Sequence, residues 1–429
     1  MGAHLRIRPA LPRRFRRLLA SAWVSNTGDG VRNAVLPLIA ASLAASTTTV
    51  TAVAAAGTLP FAVFGIVAGT MADRHDRVGL IFRAHLFRAV VVTAMAGLLW
   101  ADELTVAVLV GFAFLLGCGE AVADSAAPAL IPDLVDDDEL ERANSELETA
   151  ELVANDLVGP SVGSALFAAS ASVPFVLDAV SFTTAAGLVR SLDRGHLDAP
   201  SGDDRNETDD PFRPEASDAD VGAAAASWRE DLIEGISTAW TNKVLRTTGL
   251  LVVMFQIGNL AAIAPIVVYV TERLGVDVAA YGLFLAVGSL GGIGGSRLAR
   301  PAVRRIGSFG TLMVSVALAI VSFLVMMVPV VPVVATGFAT SFGAVVVGRI
   351  VIITARQRSV PSRLLGRAQG AMRSLVWGAA TVGALVGGAA ADLVGDRAPF
   401  VVAASFYLVG ALAGWRALRD VLAPDPARR

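Results

Sequence analysis

"LLASAWVSNTGDGVRNAVLPLIAASLAA", Leu18 to Ala45, decides how many times this chain crosses a membrane. Its ends are apolar and its length suits a hydrocarbon core of about 30 Å. Its middle is not apolar: Asn26, Asp29 and Arg32 fall where hydrocarbon should surround them. A charge at mid-helix costs about 2.5–3.5 kcal/mol on insertion scales unless it meets water or a partner. Asp29 and Arg32 are three residues apart and so share a helical face. Two compatible readings stay open: a mutual ion pair that makes insertion tolerable, and a place in a water-accessible cavity where a pair breaks and re-forms. Under either, 18–45 is the first span.

The rest of the chain supports that reading. Of 429 residues, 55% are hydrophobic and 17% charged, and the mean hydropathy is +0.64. An ordinary soluble domain is excluded, and the apolar-polar alternation of a membrane barrel is missing. Apolar runs near the spanning length recur at 18–45, 49–72, 79–100, 104–130, 140–170, 172–192, 244–272, 277–298, 306–328, 331–355, 363–391 and 397–418. The expected class is an all-α polytopic membrane protein, with twelve transmembrane helices in two six-helix pseudo-symmetric bundles. Arginines gather at alternate ends of the spans, which by the positive-inside rule makes both termini cytoplasmic. An even number of spans demands the same. The basic start "RIRPALPRRFRRLL" reads as a cytoplasmic anchor rather than a signal peptide. The expected location is a bacterial or archaeal inner (plasma) membrane. The single cysteine, Cys118, excludes an internal disulfide and reads as packed.

Three regions follow. Residues 1–192 form an N-terminal six-helix bundle. Residues 193–227, acidic and punctuated by proline, form a disordered cytoplasmic linker. Residues 228–429 begin with an amphipathic surface helix, Trp228, Leu232, Ile236 and Trp240 on one stripe, and continue as the second bundle. The halves echo each other at an offset of roughly 225 to 230 residues. "SNTGDG" matches "FQIGNL", so Gly28 corresponds to Gly258 and Asp29 to Asn259; "GPSVGS" matches "GALVGG". A parallel repeat of this kind places a substrate site between the halves, near the midplane.

These residues carry a resemblance. "GTMADRHDRVG", Gly69 to Gly79, resembles the loop between the second and third helices of major facilitator transporters. "NDLVGPSVGS", Asn155 to Ser164, resembles the glycine-proline motif of drug:proton antiporters. "GEAVADSAAPALIPDLV", "LDAVSF" and "VPSRLLGRAQG" are similar to the bacterial efflux branch that includes macrolide and enterobactin exporters. The resemblance implies the major facilitator fold, and a gate latch formed by Gly69, Asp73, Arg74 and Arg77. There are departures. Asn155 and Ser164 stand where glycine is usual, and the fourth span has Glu120 in place of a buried arginine common in proton antiporters.

Candidate proton-coupling residues follow from depth and face: Asp29, Glu120, Asp124, Asp156 and Asp178. A carboxylate in a low-dielectric cavity can change charge during a transport cycle. Glu120 and Asp124 share a face of a helix with no base of its own. Arg32 and Arg349 are the candidate partners, Arg349 because the repeat maps it near Glu120 and across the cavity. Asp178 is either a coupling carboxylate or a packed, hydrogen-bonded one. Gly159, Pro160 and Gly163 read as a kinked, closely packing segment that seals the fifth helix against the other half. Asn26, Gln256, Asn259 and Trp377 are expected to line the cavity.

The function expected is proton-coupled export of amphipathic small molecules by alternating access. Proton-coupled import of a small polar nutrient and a non-transporting membrane sensor are the alternatives. Arg32, Arg349 and Arg373 keep the importer open. Partners are a small-molecule substrate, protons and the bilayer, with no nucleic acid, no cofactor and a monomeric state expected. No P-loop and no HExxH motif occurs in the sequence. His4, His75, His85 and His196 are not expected at mid-membrane depth and offer no metal-ligand spacing. An enzyme is not expected.

Overall fold

A computed structural model of the chain describes residues 11–43, 46–194, 237, 240–359 and 362–422. The expected linker lies outside them except for its first two residues, 193 and 194, which end a helix; Trp228, Leu232 and Ile236 and the side chains of Asp73 and Arg74 also lie outside. No strand occurs among the described residues. In chain order the helices are α1 (Arg13–Leu43), α2 (Thr47–Arg74), α3 (Arg77–Trp100) and α4 (Val106–Leu130). Then come α5 (Leu140–Ala169), α6 (Val173–Arg194) and α7 (Lys243–Arg273). A continuous element, Val278–Val325, breaks at Gly307, whose φ of 72° is open to glycine at little cost. Residues 278–306 are α8 and 308–325 are α9. The chain ends with α10 (Val331–Ser359), α11 (Ser362–Val394) and α12 (Ala398–Leu422).

All these helices except α1 lie in segments apolar enough to cross a membrane by length and composition. The reason for the exception is plain: α1 opens with Arg13, Arg14, Arg16 and Arg17 and carries Asp29 and Arg32 in its middle. The outer faces are apolar, with Val90 63%, Leu283 61% and Leu412 66% exposed. Where lipid tails surround a bundle, apolar residues outside are the stable arrangement. The protein is a multi-pass membrane protein.

In the first bundle α1 packs on α5 and α6, α2 on α4, and α3 on α4 and α6. In the second, α7 packs on α11 and α12, and the α8–α9 hairpin on α10 and α12. The helix ends near the termini lie on one face, where Arg17 Nη1 donates to Ser191 O at 2.7 Å and Lys243 pairs with Asp420 at 3.0 Å. We call this the terminal face and its opposite the far face. Asp76, at the start of α3, caps that helix by accepting from Val78 N (3.1 Å) and Gly79 N (2.8 Å).

The bundles meet along two seams, α2 against α11 and α5 against α8. Toward the far face, Asp392 of α11 accepts from Thr47 N and Thr48 N of α2. In the other seam Gly282 N of α8 donates to Ser164 Oγ of α5 at 2.9 Å. Pro160 has no N–H to return to α5, and the stretch just before it, Glu151–Val158, is a π-helical turn that holds the Asp156 carbonyl. Ser289 Oγ of α8 donates to that carbonyl at 2.7 Å. The other half thereby supplies a donor to the irregular turn that precedes the proline.

Candidate functional site

Five ionisable side chains from four helices meet in the core of the first bundle. Arg32 Nη2 lies 2.6 Å from Asp29 Oδ1 and 3.1 Å from Glu120 Oε2, and Arg32 Nη1 lies 3.3 Å from Asp178 Oδ2. Arg88 of α3 pairs with the same Asp29 oxygen, and with Glu120 Oε2 at 3.1 Å. The Phe182 ring of α6 closes one side of the cluster, 4.1 Å from the Arg88 guanidinium carbon and 5.8 Å from that of Arg32. Guanidinium over an aromatic face is favourable, more so once desolvated. His85 stacks on the other neighbourhood of the same ring at 5.9 Å.

Local sequence explains the convergence. Gly28 faces the Asp178 carboxylate and the Ser181 hydroxyl, so α1 contributes no side chain at its crossing with α6 and leaves room for those two. A Cβ on Gly159 would lie 2.6 Å from Gly30 Cα, so α5 also approaches α1 backbone to backbone. Ser181 Oγ donates to Asp178 O at 2.7 Å and lies 3.4 Å from Oδ1. Small residues bring the helices close; the charges then satisfy one another. Isolated, each would cost several kcal/mol to bury, and pairing with added hydrogen bonds offsets that cost.

Access is uneven. Asp29, Arg32, Arg88 and Asp178 are buried, whereas the Glu120 side chain keeps 30% exposure. Glu120 lies within electrostatic reach of Asp124 and Glu151, which in turn reach Arg373 and Arg349 of the second half. Asp124 and Arg373, both about half exposed, approach to 3.6 Å across the halves. Beside them Phe61 of α2 stacks on Trp377 of α11 at 4.7 Å, and Arg373 sits 6.0 Å from the Phe61 ring.

The expected site residues therefore sort into groups. Asp29, Arg32, Glu120 and Asp178 come together; Asp178 is an ion-paired member of the cluster. Glu120 does not pair with Arg349, as the repeat suggested. Its partners are Arg32 and Arg88, and Arg349 stands exposed within reach of Glu151. The reason is proximity: α3 delivers a guanidinium from inside the bundle, closer than the other half can. Asp156 presents an exposed side chain, and its structural contact is through its carbonyl. Gly159 and Gly163 pack on α1 of their own half, while Pro160 O and Ser164 meet Gly282 across the seam. The expected seal thus belongs to Pro160 and Ser164, not to the two glycines.

Arg77 pairs with Asp133 at 2.7 Å, and Gly69 is half-buried in α2. Asn26, Gln256 and Asn259 are half-buried on α1 and α7, and Trp377 belongs to the α2–α11 seam. Three functional candidates escaped the sequence reading. Arg88 and His85 lie in "FRAHLFRAVVV", and an arginine at the middle of an apolar span is the signal to heed. His85, expected away from mid-membrane depth, is buried one turn from Arg88. Asp392 sits in the last turn of α11, one residue past the span expected at 363–391.

Residues 18–379 match the Major Facilitator Superfamily. The chain belongs to that family. No curated protein matches it. Among solved structures it is similar to a bacterial homologue of the iron transporter ferroportin, at 17% identity over 96% of this chain and 99% of that one. The TM-score is 0.67 for the inward-facing state. Against the outward-facing state with soaked iron it is 0.60, at 15% identity over 96% and 99%. An auto-inhibited peptide transporter of the POT family matches with a TM-score of 0.70, at 14% identity over 97% of this chain and 99% of that one. At such identities the likeness shows the fold of a transporter and leaves the cargo open.

Proposed function

We propose that the protein is a proton-coupled exporter of amphipathic small molecules, working by alternating access in a bacterial or archaeal plasma membrane with both termini cytoplasmic. One observation carries the reading. Among the described residues, Asp29, Glu120 and Asp178 surround Arg32 and Arg88, one carboxylate more than there are guanidiniums. One proton makes the cluster neutral. Glu120, the member with a half-open side chain, is where that proton enters. Protonated, it releases its hold on both arginines, so loading and unloading change how α1, α3 and α4 pull on each other.

The state supported is inward-facing: polar contacts close both seams toward the far face, and the better match is to the inward-facing ferroportin homologue. The flat Phe61–Trp377 stack next to the Asp124–Arg373 pair suits a cargo with both apolar and polar parts. Proton-coupled import of a small polar nutrient is the second reading, because Arg349 and Arg373 are exposed on the second half. Drug-sensitive cells expressing the protein provide the test. Lower accumulation of a fluorescent lipophilic compound, abolished by a protonophore, is the expected result. Unchanged accumulation across a broad panel, with faster uptake of a polar nutrient, would transfer the assignment to import.

A further inference from the structure

We propose that Asp392 is the latch of the far-face gate, locking the two halves together there by capping α2 from α11. The inference rests on the alternating-access reading above.

A helix begins with N–H groups that its own turns leave without acceptors. In α2 each of the first three is met. Thr47 N donates to Asp392 Oδ1 at 2.9 Å, Thr48 N to Asp392 Oδ2 at 2.8 Å, and Thr49 N to Ser46 Oγ at 3.3 Å. Two of the three acceptors therefore come from the other half of the molecule. Asp392 is poorly placed for its own helix, since a carboxylate in the last turn faces the negative end of the α11 dipole. Across the seam it meets the positive end of α2, where a carboxylate is favourable. Its position makes sense in trans and not in cis.

The neighbouring contacts make the latch close-fitting. A Cβ on Gly388 would lie 2.8 Å from Thr48 Cα, so α11 and α2 touch backbone to backbone beneath the carboxylate. Thr58 and Thr381 hydroxyls meet at 2.8 Å further along the same seam. The matching helix start in the second half, α8, behaves differently. Its cap is Asp277, from its own chain segment, accepting from Ala279 N at 2.8 Å. So the α5–α8 seam can part without uncapping a helix, whereas parting α2 from α11 strips two donors of a charged acceptor. Release of Asp392 is the step that opening of the far face must include.

The test uses purified full-length protein in nanodiscs, with Cys118→Ala as background. Thr51→Cys reports the far face, because Thr51 is buried beneath the latch. Glu151→Cys reports the terminal face, where Glu151 is exposed. Asp392→Asn is expected to raise maleimide labelling at position 51 about tenfold, the scale of losing charge-assisted hydrogen bonds, and to slow labelling at position 151. Thr47→Pro is the independent variant. Proline is tolerated as the first helical residue, and the extended Ser46 suits the position before it. It deletes one donor without touching Asp392, and a smaller shift in the same direction is expected. Unchanged labelling at position 51 in both variants overturns the latch, as does labelling that rises equally at both positions, which marks general loosening. Labelling reads conformation and needs no cargo. A latch that responds as expected in a protein that moves no drug and no protons would overturn the exporter reading and leave the latch standing.

Discussion

The same helix crossing is built twice in this molecule, with opposite chemistry. Where α1 crosses α6, Gly28 faces Asp178 and Ser181, and the crossing holds five charges. Where α7 crosses α12, Gly258 faces Tyr407, Phe406 and the Ala403 carbonyl. Tyr407 stacks flat on Phe255 at 4.3 Å and edge-on against Phe323 at 5.4 Å. Gly28 and Gly258 are equivalent in the repeat, and so are Asp178 and Tyr407, at an offset of roughly 230 residues. The backbone path is shared; the filling is not. A charged filling changes its energy when a proton or ion arrives. An aromatic one gains and loses no charge when a proton arrives. If the proposed proton coupling holds, the first half is the part that responds and the second half the part against which it works.

The largest effect expected is from Arg32→Leu. Arg32 touches all three carboxylates, and Asp178 has no other guanidinium within ion-pair distance among the described residues. Breaking a buried pair on one side costs about 3–5 kcal/mol. The expected outcome is a strongly lowered thermal midpoint in detergent, partly restored when Asp178→Asn removes the stranded charge. A wild-type midpoint for Arg32→Leu would mean that the five groups are not one electrostatic unit. Next comes Glu120→Gln. Its side chain is the half-open one, so stability should change little, while gradient-driven transport falls about tenfold or more, the scale of lost charge-assisted bonds. Energy-independent exchange of cargo across the membrane should survive. Full gradient-driven transport in this variant would take the proton away from Glu120.

How much of this could be read in the sequence follows from what each signal measures. Hydropathy reads burial in lipid, so all twelve helices are visible as apolar runs, α1 by its apolar ends and length despite Asp29 and Arg32 in its middle. The cluster was half legible. Asp29 and Arg32 lie on one helix, where spacing fixes neighbourhood. Arg88 comes from α3, and which way a mid-span arginine points is decided by tertiary packing, which periodicity does not report. The repeat misled in pairing Glu120 with Arg349, since equivalent positions in two halves need not face each other. Asp392 meets backbone donors and Ser289 a backbone acceptor of another helix, and neither kind of backbone group leaves a mark in the sequence.

The glycine pair tests the comparison most directly. In Gly28→Ala the new methyl group runs into the Asp178 carboxylate and the Ser181 hydroxyl, both already held by other bonds. In Gly258→Ala the nearest atoms are the Ala403 carbonyl oxygen at 3.0 Å and the Phe406 Cβ at 3.1 Å, a tight fit. Overpacking of the first kind typically costs about 1–3 kcal/mol, so Gly28→Ala should lower the thermal midpoint more and disturb transport, while Gly258→Ala does less of both. Equal effects would mean that the two crossings differ in composition only.

The smallest change is expected from Phe255→Leu. It removes one ring of the Phe255–Tyr407 stack, and an aromatic pair contributes about 0.5–1.5 kcal/mol beyond its area. Tyr407 keeps Phe323 as a neighbour, so the second core should loosen without collapsing. Because nothing in that core changes charge, the pH profile of transport should keep its shape while the thermal midpoint drops slightly. A shifted profile would show that the second half takes part in the response, and the division between the half that responds and the half it works against would have to be redrawn.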